Sequence, residues 1–374
     1  MQKFLHTARL LFAAFSVLFV LVLLAEGVWS VAHLDIWHRA LVAYLLPSSE
    51  PEPVAGEPAA QLVRDESQFE ELIEAFIKDG VGLGNTPYED LKTPKAKVNI
   101  KIDGCRQQKP NQRKTMVHIR THLFEPFDPV TAFWDVDTKL SPEVQAFIDA
   151  YGFHRITHTT NEFGERNTYP QVEADDIVLV AGDSIAAGTM VDDTETIASQ
   201  MQARDRGRRY VNLGINAAHA KDVKCALERA AKRYAGRIRE LYYFYAENDF
   251  IPDEAYGQPE EVVEFLRAYA RDNKIERVTV AYSPLIYNIV PQITRFRGSR
   301  GEIFPHHGQE KARLRDAVTA AGFVWIDCGE IALEANRAGG SQFSALALFV
   351  DHAHYSREGI RRLVDRVTNG KPTP

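Results

Sequence analysis

Ser184 follows the apolar run Val178-Leu179-Val180-Ala181 through a Gly182-Asp183 turn. A serine at the carboxyl end of a strand, where the chain turns sharply, keeps its hydroxyl out of the core and free to attack an acyl carbon. That hydroxyl needs a base to take its proton. The base needs a carboxylate to set its tautomer and to stabilise its charged form. Both residue types occur in one stretch of the tail, Asp351-His352-Ala353-His354. His354 is read as the base and Asp351, three residues earlier, as the orienting carboxylate. His352 is read as a solvent-facing or substrate-edge residue. The competing reading of Ser184 is an N-cap for the helix that follows the strand.

Other side chains give weaker chemistry. His118/His122 and His154/His158 are spaced i, i+4, which suits a metal ion only on a helix. Their Thr-, Ile- and Val-rich surroundings read as strand or loop, so no metal site and no cofactor is expected. His306-His307 lies in a polar loop with Arg295, Arg297 and Arg300, read as solvated surface, with an anionic or polyhydroxylated substrate as the alternative. The three cysteines, Cys105, Cys225 and Cys328, form no Cys-x-x-Cys pair, and the odd count favours free, buried thiols over one bridge. A net charge of −7 argues against a nucleic-acid partner.

The elements that must position Ser184 are legible from residue 175 onward. Strands are expected over 176–181, 209–213, 240–246, 277–282 and 323–327. Helices are expected over 194–204, 221–235, 260–272, 309–321 and 356–367. The strands are continuous apolar runs rather than alternating ones, so both faces are buried. The expected fold class is α/β, a three-layer sandwich with a central parallel sheet covered by helices. Sites in such sheets form beyond the carboxyl ends of the strands, where Ser184, Gly214, Asn248 and Ser283 all fall. Residues 61–174 read as an accessory α+β region of unassigned function. Strands are expected over 97–102 and 116–120, and helices over 65–78 and 141–151.

The N-terminus is different in kind. Lys3 and Arg9 precede an apolar run from Leu10 to Ala25 interrupted only by Ser16, with Trp29 at its far end. Residues 1–33 read as an uncleaved membrane anchor with a cytoplasmic N-terminus. A signal peptide cleaved after Ser30-Val31-Ala32 is the alternative. Residues 34–60 read as a short amphipathic helix followed by a Pro-rich linker. Either reading of the anchor puts the rest of the chain outside the cytoplasm.

The order Gly182-Asp183-Ser184, Asn212-Leu213-Gly214, Ala246-Glu247-Asn248-Asp249 and Asp351-His352-Ala353-His354 resembles the four blocks of the SGNH (GDSL-type) hydrolase family. The resemblance covers roughly 175–370, and its fold is flavodoxin-like. It implies a Ser184–His354–Asp351 triad, and the Asp-x-x-His spacing selects His354 over His352. It also implies an oxyanion hole made by the N–H of Ser184, the N–H of Gly214 and the side-chain amide of Asn248. Asp249 is expected to be structural. Ala246 departs from the family's glycine and would be strained if that backbone needed a positive φ. Asn161-Glu162-Phe163-Gly164-Glu165-Arg166 looks like a stretch that precedes the nucleophile block in membrane-anchored bacterial members, or else makes a simple turn.

Together these features imply a serine esterase or deacylase acting through an acyl-enzyme on Ser184. The expected substrate is an acyl ester on an envelope glycan or lipid, with transfer of the acyl group to a sugar hydroxyl left open. The expected location is the inner membrane with the catalytic domain periplasmic, or secreted if the leader is cleaved. A non-catalytic, membrane-tethered binding or assembly protein with the same fold is the alternative.

Overall fold

The computed structural model describes residues 82–84, 99–119, 130–135, 152–250, 258–289, 307–339, 344–350 and 353–368, with isolated positions at 75, 78 and 141–149. The expected anchor, amphipathic helix and linker lie outside these residues. Among the described residues no helix is long and apolar enough to cross a membrane. Within the expected helices over 65–78 and 141–151, the described positions 75, 78, 142, 145, 146 and 149 are helical, and Ser141 precedes the second helix.

The first part of the chain is antiparallel. Strands β1 (Gly82–Gly84), β2 (Asn99–Ile102), β3 (Cys105–Gln108), β4 (Arg113–Ile119), β5 (Val130–Asp135) and β6 (Gly152–Thr159) form two sheets. One is the hairpin β2–β3, and the other has the order β1-β5-β4-β6. His118 and His154 are register partners of β4 and β6, and His158 is also on β6, so the i, i+4 spacing is not helical. His122 lies outside the described residues.

From β7 the pattern is βα. In chain order come β7 (Ile177–Gly182), α1 (Ser184–Ala187), α2 (Ile197–Arg204), β8 (Arg209–Asn212), α3 (Ala220–Arg233) and β9 (Ile238–Ala246). There follow α4 (Pro259–Asp272), β10 (Arg277–Ser283), α5 (Ile286–Ile289), α6 (Gly308–Ala320), β11 (Val324–Asp327), α7 (Gly329–Gly339) and α8 (Arg357–Thr368). The five strands make one parallel sheet in the order β11-β10-β9-β7-β8. Each strand buries both faces, as the unbroken apolar runs require. Ile177, Leu179 and Ala181 share a core with Val223 and Leu227 of α3, Val262 and Leu266 of α4, and Leu314 and Val318 of α6. Val178 and Val180 point to the opposite face, and α2 and α8 pack on each other outside that core. The order reverses between β7 and β9, and a doubly wound sheet opens its ligand crevice at such a reversal.

The cysteine expectation is corrected. Cys105 on β3 is bridged to Cys225 on α3, with Cα atoms 6.4 Å apart and 120 residues between them in sequence. An odd count says nothing about two cysteines that the fold brings together from an edge hairpin and a helix. Cys328 is a free, buried thiol, and burial pushes its pKa up.

Candidate active site

The turn that carries Ser184 is built by close approach. Gly182 ends β7 at φ 151°, and a Cβ there would lie 2.5 Å from the Phe244 carbonyl oxygen of β9. Glycine lets the chain pass this point and turn. Asp183 then caps α1, its Oδ1 accepting the Ile185 N–H at 2.9 Å. Ser184 is the first residue of α1, and little of it is exposed. Ser184 is thus the helix's first residue, directly after the bend that ends β7, while the capping role falls to Asp183.

His354 reaches this serine from 170 residues away in sequence. Its Nε2 lies 2.9 Å from Ser184 Oγ, the distance at which an imidazole can take a hydroxyl proton. The segment carrying His354 is held from both sides. Val350 N–H donates to the His354 carbonyl at 2.8 Å, Ser356 N–H donates to the Leu348 carbonyl, and Phe349 stacks on Tyr355. Ser283, at the end of β10, donates from its hydroxyl to Tyr355 at 3.1 Å and ties this segment to the sheet. Asp351 and His352 lie outside the described residues.

Buried acids surround the turn. Asp183 Oδ2 is 3.4 Å from Ser184 Oγ, long for a hydrogen bond. Burial raises the Asp183 pKa, and the Ile185 amide and His354 oppose that rise. Asp249 lies in the 3-10 turn Glu247–Phe250 after β9 and accepts the Ala246 N–H at 3.3 Å. Desolvation, and then the charge of Asp183, push the Asp249 carboxyl well above the usual range. Ala246 stays in strand register opposite Ser283, so the alanine is accommodated as the last residue of β9. Asn248 belongs to the same 3-10 turn, and its side chain lies outside the described residues. Glu247 is buried and accepts the Leu285 N–H at 2.7 Å, which joins the turn after β9 to the one after β10.

Gly214 lies in the turn after β8. Its N–H donates to Asn212 Oδ1 at 2.9 Å, within the chain itself. What requires glycine here is packing, because a Cβ would collide with the backbone of Ala186 and Ala187 in α1. The Ile215 and Ala218 amides are also used, on Gly182 and Ile215 carbonyls. Among the described residues the Asn216 and Ala217 amides have no acceptor. Ala217 sits at φ 52°.

Three residues outside the four blocks hold these turns, and only one was marked by the sequence. Asn161 does make a turn, its Oδ1 accepting the N–H of Phe163 and of Glu165. Arg166 at the end of that stretch is almost wholly buried. It donates to the carbonyls of Ala187, Gly188 and Val191 and pairs through Nε with Asp193 at 2.9 Å. It therefore satisfies the orphan carbonyls at the end of α1. Asp193 in turn accepts the backbone N–H and the hydroxyl of Thr159. The other two, Gln108 and Asn99, reach the turn after β8. Gln108 Nε2 donates to the Gly214 carbonyl at 2.6 Å, and Gln108 Oε1 lies 2.5 Å from His158 Nε2. Burial, then Arg166 and Lys114, hold the His158 pKa low. Because the amide nitrogen of Gln108 is used on Gly214, its oxygen accepts from the Nε2–H of His158. Nothing in the sequence pairs Gln108 with a glycine 106 residues on.

His307 is buried against Phe250 at 5.5 Å rather than solvated, while His306 and the three arginines of its loop lie outside the described residues. No group of three or more His, Cys, Asp or Glu among the described residues is placed to hold a metal ion.

No protein-family model matches the chain, and no curated protein matches it. Solved structures do. A member of the lipolytic G-D-S-L family from Veillonella parvula aligns at 14% identity over 53% of this chain and 97% of its own, with a TM-score of 0.39. An acetylxylan esterase, Axe2, from Geobacillus stearothermophilus aligns at 16% identity over 53% of this chain and 95% of its own, with a TM-score of 0.36. A lipase/acylhydrolase from Enterococcus faecalis aligns at 18% over 53% and 98%, with a TM-score of 0.36.

Proposed function

We propose that the protein is a serine esterase or deacylase that works through an acyl-enzyme on Ser184. The 2.9 Å approach of His354 Nε2 to Ser184 Oγ carries this reading. Ser184 Oγ attacks the ester carbonyl as His354 takes its proton, and His354 returns that proton to the departing alkoxide. Water, or an acceptor hydroxyl on a sugar, then attacks the acyl-enzyme with His354 again as base. Asp351 is assigned to orient the imidazole. The oxyanion is assigned to the N–H of Ser184, the side chain of Asn248 and the turn after β8. Because the Gly214 N–H is engaged with Asn212, the donors from that turn are the amides of Asn216 and Ala217.

The apolar run at residues 10–25 supports a membrane anchor, and the Cys105–Cys225 bridge supports an oxidising, extracytoplasmic location. An envelope glycan or lipid ester is the substrate class that location offers. The test is hydrolysis of p-nitrophenyl acetate by the full chain, with Ser184→Ala expected to lower kcat by about 10³-fold or more. Turnover that survives Ser184→Ala, or a wild-type chain that never reacts with a fluorophosphonate, would exclude the assignment and favour a non-catalytic role. Comparing acetyl with longer acyl esters ranks the acyl group.

A further inference from the structure

The β2–β3 hairpin grips the turn after β8 at two points and α3 at two more. Asn99 Nδ2 donates to the Asn216 carbonyl at 2.8 Å, and Gln108 Nε2 donates to the Gly214 carbonyl at 2.6 Å. The Arg106 N–H donates to Asp222 Oδ1 at 2.6 Å, in the first turn of α3, and Cys105 is bridged to Cys225 one turn further along. Asn99 and Gln108 are direct partners across the hairpin, so both side chains reach the same turn from one rung.

The Asn99 contact has a directional consequence. In a trans peptide the carbonyl and the N–H point in opposite directions. The Asn216 carbonyl and the Ala217 N–H belong to one peptide unit, so the bond from Asn99 to that oxygen sets where the N–H aims. That N–H has no acceptor among the described residues. Ala217 itself is at φ 52°, a left-handed conformation that a residue with a Cβ holds only where its surroundings impose it. The turn lies against the nucleophile's helix. Thr189 Oγ1 donates to the Ser184 carbonyl at 3.2 Å and lies 3.5 Å from Asn216 Oδ1.

We propose that Asn99 is a positioning residue for acyl transfer. By holding the Asn216 carbonyl it aims the Ala217 N–H at the oxygen that becomes negatively charged. Gln108 and the Cys105–Cys225 bridge keep the hairpin in register with the turn. The hairpin of the accessory region is then part of the oxyanion machinery, although it touches no reacting atom. This inference rests on the reading of Ser184 as an acyl-accepting nucleophile.

The test uses the full chain and two variants. Asn99→Ala removes the donor. Asn99→Asp keeps the shape and sets an oxygen against the carbonyl. With p-nitrophenyl acetate, kcat is expected to fall roughly 10- to 100-fold in both while KM moves less than about threefold. The inhibition constant of a phenylboronic acid, whose tetrahedral adduct on Ser184 puts an oxygen at the same place, rises by a similar factor. Ala217→Gly, which accepts a positive φ without strain, restores kcat several-fold in the Asn99→Ala background. A general weakening of the hairpin would not respond to that change. A kcat within about twofold of the wild type, or a loss that follows the melting temperature and is not restored by Ala217→Gly, overturns the proposal while leaving the Ser184 assignment intact. A wild-type chain inert to ester and fluorophosphonate overturns both.

Discussion

The turns after β7 and β8 flank the proposed reactive centre but are held in opposite ways. The first, running from α1 to Val191, hangs its carbonyls on one buried guanidinium, Arg166, whose charge is balanced by Asp193. The second is held by neutral amides, Asn99 and Gln108, and by a covalent bridge a few residues downstream. Both braces come from the region ahead of β7. Their chemistry differs in what happens when they break. A buried charge left without its partner is costly in folding free energy, whereas a lost neutral hydrogen bond costs less. The β7 side therefore links position to stability, and the β8 side lets position be changed nearly on its own.

The sharpest way to break this contrast is Arg166→Met. The arginine is buried with Asp193, and desolvation already lowers its pKa against the pull of that carboxylate. Removing it strands Asp193 and several carbonyls, so a loss of about 3–5 kcal/mol is expected in urea unfolding. Arg166→Met with Asp193→Leu should recover part of that loss, because the stranded charge goes too. A single-variant cost under about 1 kcal/mol would mean that the charged brace is replaceable. On the other side, Cys105→Ala with Cys225→Ala is expected to cost about 2–4 kcal/mol in the same measurement. An unchanged denaturation midpoint would show that the hydrogen bonds alone hold the hairpin.

Gln108→Met tests the neutral brace and should cost less, about 1–2 kcal/mol. It preserves bulk while leaving the Gly214 carbonyl and His158 Nε2–H without their partner. A cost equal to that of Arg166→Met would erase the distinction between the two turns.

How much of this was readable beforehand follows the same divide. The five parallel strands were legible because burial on both faces writes each as an unbroken apolar run, and the observed ends differ from the expected ones by one or two residues. Ser184 and His354 were legible because the chemistry proposed for them calls for particular residue types, and the fold brings the two within 2.9 Å. The helix Gly329–Gly339 was missed, although Asp327 Oδ1 caps it on the Gly329 N–H at 2.9 Å, because Asp327 also ends β11. The braces were hidden for a deeper reason. Gln108, Lys114 and His158 are buried polar residues on strands β3, β4 and β6, so they blur the alternation that marks a half-buried strand. Their partners lie far away in the chain, and no local pattern encodes a hydrogen bond from Gln108 to Gly214. Gly214 carries a second role that no local pattern marks, because its missing Cβ lets the turn pack against Ala186 and Ala187.

The smallest expected effect concerns the link between the β7 turn and the turn after β9, and it depends on pH. Asp183 and Asp249 follow neighbouring parallel strands and are both buried. Two such carboxylates cannot both ionise readily, so one proton is retained. It resides on Asp249, whose side chain accepts only the Ala246 N–H, whereas Asp183 has the Ile185 N–H and faces His354. The folded pKa of Asp249 thus lies above its unfolded value of about 4. Below that pH both states hold the proton and nothing is lost. As pH rises above it, the unfolded chain releases the proton while the folded chain keeps it. Stability therefore declines progressively until the pH passes the folded pKa. In Asp249→Asn the amide oxygen can still accept from Ala246, and the group no longer titrates. The stability of this variant relative to the wild type should rise with pH from about 4 until the pH passes the folded pKa of Asp249, as read from urea midpoints at several pH values. A difference that is flat or that shrinks with pH would mean Asp249 is ionised in the folded protein. The acid beside Ser184 would then have to be the one that keeps the proton.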